Sequence, residues 1–418
     1  MPRLPSICRH RVGWVGLLLA ATANFAVAEE PVVAPAARHQ QGNAQSVAFS
    51  PDGRLVAAGF GGPVVTRDKQ RVKQGRIVVW EAATGKLVHQ VEAYGDVVGL
   101  QFASDGRSCL VSRVYTPGDS VDDNVSRLIP IGDGEETRLS FGRMSYLATL
   151  SPTSGQFAIV KGRDIAQVFD SLAADEMMGE VHELSIVDSY SASALAFASD
   201  GKTFAAVHGR LEPILRKDGT LALRARAIRN DVLTLFETTT WSVQDSVVNE
   251  ELLDCTALAV SRDARWIATG HPGGIARVWD GRTLQKKEEM NLQAETAVLP
   301  RFAPDGKRLA LLTQPSGGLT WRRSQTPSGF TFERQWNQTP CELALYEAKE
   351  FQLQRTFRLE DAAFATYHAN RPRASLNPAR LAFSPDGNSI LVGCNGVTLL
   401  DAETGETIRQ FDLPHEAP

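Results

Sequence analysis

A short segment that recurs along the chain constrains its fold more than any other feature of the sequence. Each copy joins an apolar stretch to a turn sequence, most clearly in Phe49 to Gly53 (FSPDG). The seven copies are Val47 to Gly53 (VAFSPDG), Leu100 to Gly106 (LQFASDG), Leu150 to Gly155 (LSPTSG), Leu195 to Gly201 (LAFASDG), Leu258 to Ala264 (LAVSRDA), Arg301 to Gly306 (RFAPDG) and Leu381 to Gly387 (LAFSPDG). The third and fifth copies are the weakest. Such repetition indicates an array in which each unit buries its apolar faces against its neighbours.

The residues of the segment predict a strand that ends in a tight turn. Apolar residues alternate along the strand, proline presets φ in the turn, and glycine takes the positive φ that leads into the next strand. The aspartate hydrogen-bonds the backbone of the turn. We therefore interpret Asp52, Asp305 and Asp386 as turn formers and not as catalytic acids.

Three further strands follow the turn in most units. A second strand comes directly after it, as in Leu55 to Gly59 (LVAAG), and a third ends in an apolar residue before an acid, as in Val278-Trp279-Asp280. A turn such as Thr404-Gly405 leads into the fourth strand. Unit two is the exception, because Pro130 would remove a hydrogen bond from its third strand. Four strands per unit, at a period of roughly 40 to 50 residues, predict the blades of a β-propeller.

In combination, the FSPDG and Val-Trp-Asp segments resemble those of the WD-repeat family of β-propellers, including bacterial members with FSPDG turns. The resemblance implies an all-β, seven-bladed β-propeller of four-stranded antiparallel blades over residues 44–413. The expected blades are 44–93, 96–140, 145–186, 192–248, 254–291, 296–359 and 379–413. The Gly-His dipeptide that precedes the first strand in the family is missing, as at Gly95-Asp96, so the family's buried Asp-His-Ser-Trp network is not carried over. Because the last unit has a fourth strand of its own, we expect the ring to close without strand exchange.

The first 28 residues have the pattern of a cleavable signal peptide. Basic residues up to Arg11 precede the apolar run Val12 to Ala23, and Ala26-Val27-Ala28 is a small-x-small cleavage site. The run is shorter than the roughly 20 residues that cross a bilayer, although an uncleaved anchor is the alternative. We therefore expect an exported protein, periplasmic or secreted, with residues 29–43 as a short linker and no integral membrane segment after cleavage.

Four cysteines remain after the signal peptide, and none has the spacing of a CxxC motif. This spacing argues against a zinc, haem or redox site. We interpret Cys109, Cys255, Cys341 and Cys394 as single buried thiols. The alternative is a disulfide between Cys341 and Cys394, which lie near the same end of neighbouring units and which export would permit.

Long insertions are the strongest functional signal in the repeats. Segments 60–75, 112–125, 208–230 and 313–341 separate strands two and three, and segment 361–379 precedes the last inner strand, so all five are expected on one rim. Together they carry a net charge of +8, whereas the whole chain carries −4. Tryptophan, tyrosine and arginine dominate binding hot spots. The candidate binding residues are Trp321, Arg322, Arg323, Arg334, Trp336, Tyr367, Arg371, Arg224 and Arg226.

Two other interpretations of the insertions stay open. Long polar loops are often only solvated, and residues 210–229 could form an extra hairpin with alternating arginines. If the rim binds, its positive charge would attract an acidic partner over about 8 Å, the Debye length at physiological salt. We expect a protein or an acidic polymer of the cell envelope, bound by a monomeric propeller. Export argues against nucleic acid.

No catalytic motif, cofactor motif or metal-ligand spacing occurs in the sequence. His208, His271 and His368 fall on the same rim, where a metal is conceivable, but they are not spaced as ligands. We therefore predict a non-enzymatic binding scaffold without catalytic residues, metal or cofactor. The alternative is a propeller hydrolase, lyase or oxidoreductase with its site at the mouth of the central channel. Three or more ionisable groups meeting there would favour the enzyme.

Overall fold

The structure is a computed structural model, and β-strands form nearly all the regular structure of its described residues. The residues that it describes are 32–33, 44–61, 64–67, 70–94, 96–114, 126–131, 137–139, 147–160, 165–170, 181–185, 189–215, 221–292, 294, 297–313, 317–326, 329–338, 341–359, 380–394 and 396–413. Helical structure in these ranges is limited to one 3-10 turn, Glu250–Leu252. Nothing helical in the described ranges has the length and apolar character of a membrane span.

The described residues form seven four-stranded antiparallel blades, as the repeats predict. Blades one to four are β2 (Ala44–Phe49), β3 (Leu55–Phe60), β5 (Gln70–Glu81) and β6 (Leu87–Tyr94); β7 (Asp96–Phe102), β8 (Ser108–Val114), β9 (Ser126–Pro130) and β10 (Thr137–Leu139); β11 (Ala148–Leu150), β12 (Phe157–Ile159), β13 (Ala166–Phe169) and β14 (Val181–Leu184); and β15 (Ser189–Phe197), β16 (Thr203–Leu215), β17 (Leu221–Glu237) and β18 (Val243–Val248). Blades five to seven are β19 (Ala257–Val260), β20 (Trp266–Gly270), β21 (Ile275–Asp280) and β22 (Lys286–Asn291); β23 (Val298–Phe302), β24 (Arg308–Thr313), β27 (Cys341–Glu347) and β28 (Leu353–Leu359); and β29 (Leu381–Phe383), β30 (Ser389–Cys394), β31 (Gly396–Asp401) and β32 (Thr407–Phe411). Additional strands are β1 (Val32–Val33), β4 (Val64–Arg67), β25 (Gly317–Thr326) and β26 (Gly329–Gln338).

The connectivity gives the propeller two different rims. Each inner strand packs against the inner strands of the adjacent blades, and a parallel bridge between Ala198 and Val260 shows that neighbouring inner strands run the same way. The connections from strand one to two and from strand three to four therefore lie on one end, which we call the turn rim. The connections from strand two to three and between blades lie on the other end, which we call the hairpin rim.

The turn rim is built by side chains that hydrogen-bond the turn backbone. In blade one, Ser50 Oγ donates to Asp52 Oδ1 at 2.6 Å and accepts the backbone N–H of Leu55 at 2.9 Å. Gly53 has a φ of 72°, in the left-handed region that favours glycine. Ser384 and Asp386 repeat the arrangement in blade seven. The prediction that these aspartates form turns is confirmed.

Blade two has the third strand that the sequence leaves in doubt. Residues Ser126–Pro130 form β9, which pairs with β8 in antiparallel register. Pro130 is the last residue of the strand and lies opposite Ser108. The third strand that the sequence shows only poorly is therefore present, because a proline at a strand end disturbs the hydrogen-bond ladder far less than one in its middle.

Among the described residues, blade seven uses four consecutive strands, so the ring closes without strand exchange as expected. Side chains join its two ends. Trp80 of blade one packs against Phe411 of blade seven at a ring distance of 5.5 Å, and its Nε1 donates to the carbonyl of Asp412 at 3.1 Å. Arg409 donates to the carbonyl of Thr84 at 2.9 Å. Strand β1, which the sequence did not predict, adds in parallel to the outer strand of blade six.

Blade five contains a buried tryptophan-threonine-histidine network despite the missing Gly-His dipeptide. Trp279 Nε1 donates to Thr269 Oγ1 at 3.0 Å, and His271 Nε2 lies 2.9 Å from the same oxygen. The histidine comes from the end of strand two rather than from the connection before strand one. Its position in sequence differs from the family pattern, so this network is not the family's Asp-His-Ser-Trp network, which the sequence analysis did not carry over.

Candidate binding surfaces

Three insertions on the hairpin rim form β-hairpins between strands two and three. In blade one β4 pairs with the start of β5, and in blade four β16 and β17 reach 13 and 17 residues. In blade six β25 and β26 form a separate two-stranded hairpin. The extra hairpin considered for residues 210–229 is therefore present, and segments expected as loops in blades one and six also pair. Paired backbones hold their residues at defined positions, which a solvated loop does not.

The β25–β26 hairpin separates its residues by chemistry. Its register places Trp321 opposite Arg334, Arg323 opposite Phe332 and Leu319 opposite Trp336. Directly opposed residues and alternate residues along a strand share one face of a ladder. One face therefore carries the positions of Leu319, Trp321, Arg323, Gln325, Phe330, Phe332, Arg334 and Trp336. We call it the aromatic face.

The opposite face of the same hairpin holds polar positions and Gly329 in its paired region from 320 to 335, with no apolar side chain. Arg322 lies opposite Glu333, Thr320 opposite Gln335, and Ser324 opposite Thr331. The pairing register therefore places the candidate binding residues of this hairpin on two different faces. Trp321, Arg323, Arg334 and Trp336 share the aromatic face, whereas Arg322 belongs to the other.

The β16–β17 hairpin is held at its base by an ion pair between a partly exposed arginine and a buried aspartate. Arg210 Nε donates to Asp231 Oδ1 at 2.9 Å and its Nη2 donates to Oδ2 at 3.1 Å, and the Asp231 side chain is 0% exposed. Such a two-point contact fixes the guanidinium and carboxylate in one plane. Beyond it, Arg224 and Arg226 occupy alternate positions of β17, hence the same face.

The remaining site predictions lie outside what the structure describes. Tyr367, Arg371 and His368 belong to residues 360–379, and most of segment 112–125 is likewise outside the described ranges. The backbones of Cys341 and Cys394 begin β27 and end β30, both on the hairpin rim of neighbouring blades. Their side chains are not described, so the disulfide stays a prediction.

The thiols of Cys109 and Cys255 are free and buried. Burial raises the pKa of both, to about 12 for Cys255, so they remain protonated at physiological pH. This supports their interpretation as buried structural thiols.

The two described histidines of the hairpin rim are structural groups in separate blades. His208 Nε2 lies 2.9 Å from Thr234 Oγ1 and its Nδ1 lies 2.9 Å from the Gly209 carbonyl. His271 Nδ1 lies 3.1 Å from the carbonyl of Leu253, and burial together with Arg277 lowers the pKa of His271 to about 4. Both nitrogens of each ring are engaged, which leaves neither free for a metal. Within the described ranges, no three histidine, cysteine or acidic residues are grouped as metal ligands.

The mouth of the central channel opens on the turn rim as a cavity of about 510 Å³. All seven blades contribute to its lining, chiefly through the phenylalanines and prolines of the repeated turn segments. Its ionisable residues are Arg262 and Arg301, and the described lining contains no carboxylate or imidazole. Three convergent ionisable groups, the arrangement that would favour an enzyme, do not occur in this lining.

Arg301 was missed as a site residue, although the repeats contain a signal for it. It occupies the position before the motif phenylalanine, where Ala48, Gln101, Ala196 and Ala382 stand in other blades. One charged residue at a position otherwise filled by small or neutral side chains is the kind of departure that an alignment of the units exposes.

Comparison with known proteins identifies the fold. No protein-family model and no curated protein matches the sequence. Among solved structures, the crystal structure of the Cps50 (Swd1) β-propeller domain of Myceliophteria thermophila is similar, with a TM-score of 0.53 and 14% identity. The match covers 88% of this chain and 96% of that one. At this identity the likeness concerns the fold alone: the chain is a seven-bladed β-propeller.

Proposed function

We propose that the protein is an exported, non-catalytic scaffold that binds an acidic protein of the cell envelope on its hairpin rim. The observation that carries the proposal is the register of β25 and β26, which gathers the aromatic positions and two arginines on one face. Aromatic and arginine residues provide most of the binding energy in protein interfaces. A two-stranded ribbon that presents them is a pre-formed surface, so less conformational entropy is lost on binding.

Charge and the composition of the channel support the same function. The insertions that form the described hairpins of blades one, four and six are each net positive, at +3, +4 and +2. Positive charge on one rim accelerates the encounter with an acidic partner and makes binding sensitive to salt. The channel mouth offers arginines but no acid or base within its described lining. These features favour binding over catalysis, and export rests on the predicted signal peptide of residues 1–28.

A pull-down from envelope extract with two matched variants tests the aromatic face. Trp321→Ala with Arg323→Ala alters that face, whereas Thr320→Ala with Arg322→Ala alters the other face of the same strand. Each double variant removes one arginine. We expect the first to reduce partner recovery by about tenfold or more, as hot-spot residues do, and the second to stay within about twofold of wild type.

Equal recovery with both variants and wild type would remove the case for this surface. Treating the extract with protease before capture separates the two kinds of partner. Loss of binding after proteolysis supports a protein, and retention identifies an acidic polymer instead.

A further inference from the structure

The channel mouth on the turn rim has features that the proposed scaffold function does not use. Phe49, Phe102, Phe302 and Phe383 lie in its lining together with serines, a glutamine and two arginines, and its volume is about 510 Å³. An open cleft of this size that combines aromatic side chains with polar groups can hold a small ligand. It lies at the opposite end of the propeller from the hairpins.

Positive charge is in excess in the lining of this mouth. Turn aspartates surround it, but each hydrogen-bonds its own turn backbone, as Asp305 accepts the N–H of Lys307 at 2.9 Å. Five of these aspartates are followed two residues later by a basic residue, namely Arg54, Arg107, Lys202, Arg265 and Lys307. The turns are therefore close to neutral. Arg262 and Arg301, both in the cavity lining, are additional positive charges.

Arg301 is the more unusual of the two, because it is partly buried and has no carboxylate partner among the described residues. Its one hydrogen bond runs from Nη1 to the carbonyl of Pro300 at 2.9 Å. Burial lowers the pKa of Arg301 to about 10, which leaves it charged at neutral pH. A desolvated charge without a counterion is costly, so a bound anion would stabilise it.

The geometry of the guanidinium indicates the kind of anion. In the Arg210–Asp231 pair of this same chain, Nε and Nη2 hold the two carboxylate oxygens. In Arg301 the hydrogen bond to Pro300 uses Nη1, so the Nε–Nη2 edge remains available. One such edge matches a carboxylate in a two-point contact. The phenylalanine walls suit an apolar group attached to it.

We propose that the channel mouth on the turn rim binds a carboxylate borne on an apolar group, which Arg301 holds through its Nε–Nη2 edge. A small organic acid supplies this chemistry. A peptide with an acidic side chain next to an aromatic residue supplies it as well. The site is independent of the hairpin rim, because the two lie at opposite ends of the blades.

Calorimetric titration of the full chain with phenylacetate and with phenylacetamide tests the proposal. The two probes have nearly the same shape, and only the first carries a carboxylate. We expect phenylacetate to bind and the amide to bind at least about tenfold more weakly, the difference expected for hydrogen bonds to a charged group. A parallel titration uses the peptides acetyl-Leu-Glu-Phe-amide and acetyl-Leu-Gln-Phe-amide. Tighter binding of the glutamate peptide than of phenylacetate identifies a peptide as the source, and the reverse identifies a small acid.

Variants at Arg301 complete the test. Arg301→Gln should weaken phenylacetate binding by about tenfold or more. Arg301→Lys should restore only part of the lost affinity, because lysine keeps the positive charge but lacks the planar guanidinium that makes the two-point contact. Arg54→Gln, a turn residue outside the lining, is the control and should bind as wild type does. The proposal is overturned if wild type binds neither acid, if it binds phenylacetate and phenylacetamide equally, or if a folded Arg301 variant binds like wild type. If Arg301→Gln does not fold, full affinity in Arg301→Lys overturns the two-point contact.

Discussion

The turn rim and the hairpin rim connect the strands of the same seven blades, but their connections differ in length and regularity. On the turn rim, the connection from strand one to strand two is five or six residues long in every blade, and side chains such as Ser50, Asp52 and Asp105 hydrogen-bond its backbone. On the hairpin rim, the second connection of a blade varies from residues 271–274 in blade five to residues 314–340 in blade six. One end of each blade therefore determines the fold, while the other accepts insertions that can carry function.

If the turn rim determines the fold, tight positions there should tolerate substitution least. Gly405 lies in the last turn of blade seven with a φ of 73°, and a Cβ at this position would lie 1.7 Å from a ring carbon of Phe357. Because backbone strain and overpacking add, Gly405→Ala should lower the free energy of unfolding by about 4 kcal/mol. Urea denaturation measures the loss.

The matched control for this substitution lies on the hairpin rim. Gly273 has a φ of 75° but nothing within 4 Å of its added Cβ, so Gly273→Ala should cost only the strain, about 1 kcal/mol. Equal losses for the two substitutions would show that the contact with Phe357 adds nothing to the strain of a positive φ.

Acid should affect the two rims in different pH windows. Burial lowers the pKa of His271, at the base of the hairpin rim, to about 4 from 6.5. Between these values the unfolded chain binds the proton first, so stability falls as the pH decreases through this window. The expected loss between pH 6.5 and pH 5 is about 2 kcal/mol for His271, and His208 shifts in the same direction.

The turn-rim aspartates also lose stability as the pH falls, but at a lower pH than His271. Hydrogen bonds from Ser50 and Ser384 lower the pKa values of Asp52 and Asp386 below 3.8, so the stability that they contribute is lost only in stronger acid. Urea denaturation at pH 7 and pH 5 should therefore show a decrease in wild type that His271→Gln reduces. A pH dependence unchanged by this substitution would show that His271 is not the group that titrates.

The smallest expected change in stability comes from substituting a single side chain on each rim. Ser384 Oγ donates to Asp386 Oδ1 at 2.5 Å and accepts the N–H of Ser389 at 2.9 Å. Ser384→Ala should cost about 1 kcal/mol, the typical value for a lost side-chain cap. Arg322→Ala on the hairpin rim should stay within about 0.5 kcal/mol, as surface substitutions do. Thermal melting of both variants checks the difference, and a larger shift for Arg322→Ala would reverse the assignment of the two rims.

Local sequence rules predicted most of the turn rim but failed where packing overrides them. Gly85 and Gly405 take the positive φ of the turn between strands three and four, as expected of glycine. In blades four, five and six the same role falls to Trp241, Leu284 and Phe351, with φ of 53°, 52° and 52°. Each of these side chains is buried, so the apolar contact offsets a strain of roughly 1 to 3 kcal/mol.

The amino-acid sequence by itself determined the number of blades, the strand order and the end at which insertions gather. These follow from short-range chemistry, since a repeated turn and alternating apolar residues are visible within a few positions. Tertiary structure alone decided the register of β25 on β26, the partners of His271 and the isolation of Arg301 in the channel mouth. These features depend on which residues of distant segments meet, and a one-residue change in pairing would reassign every side chain to the other face.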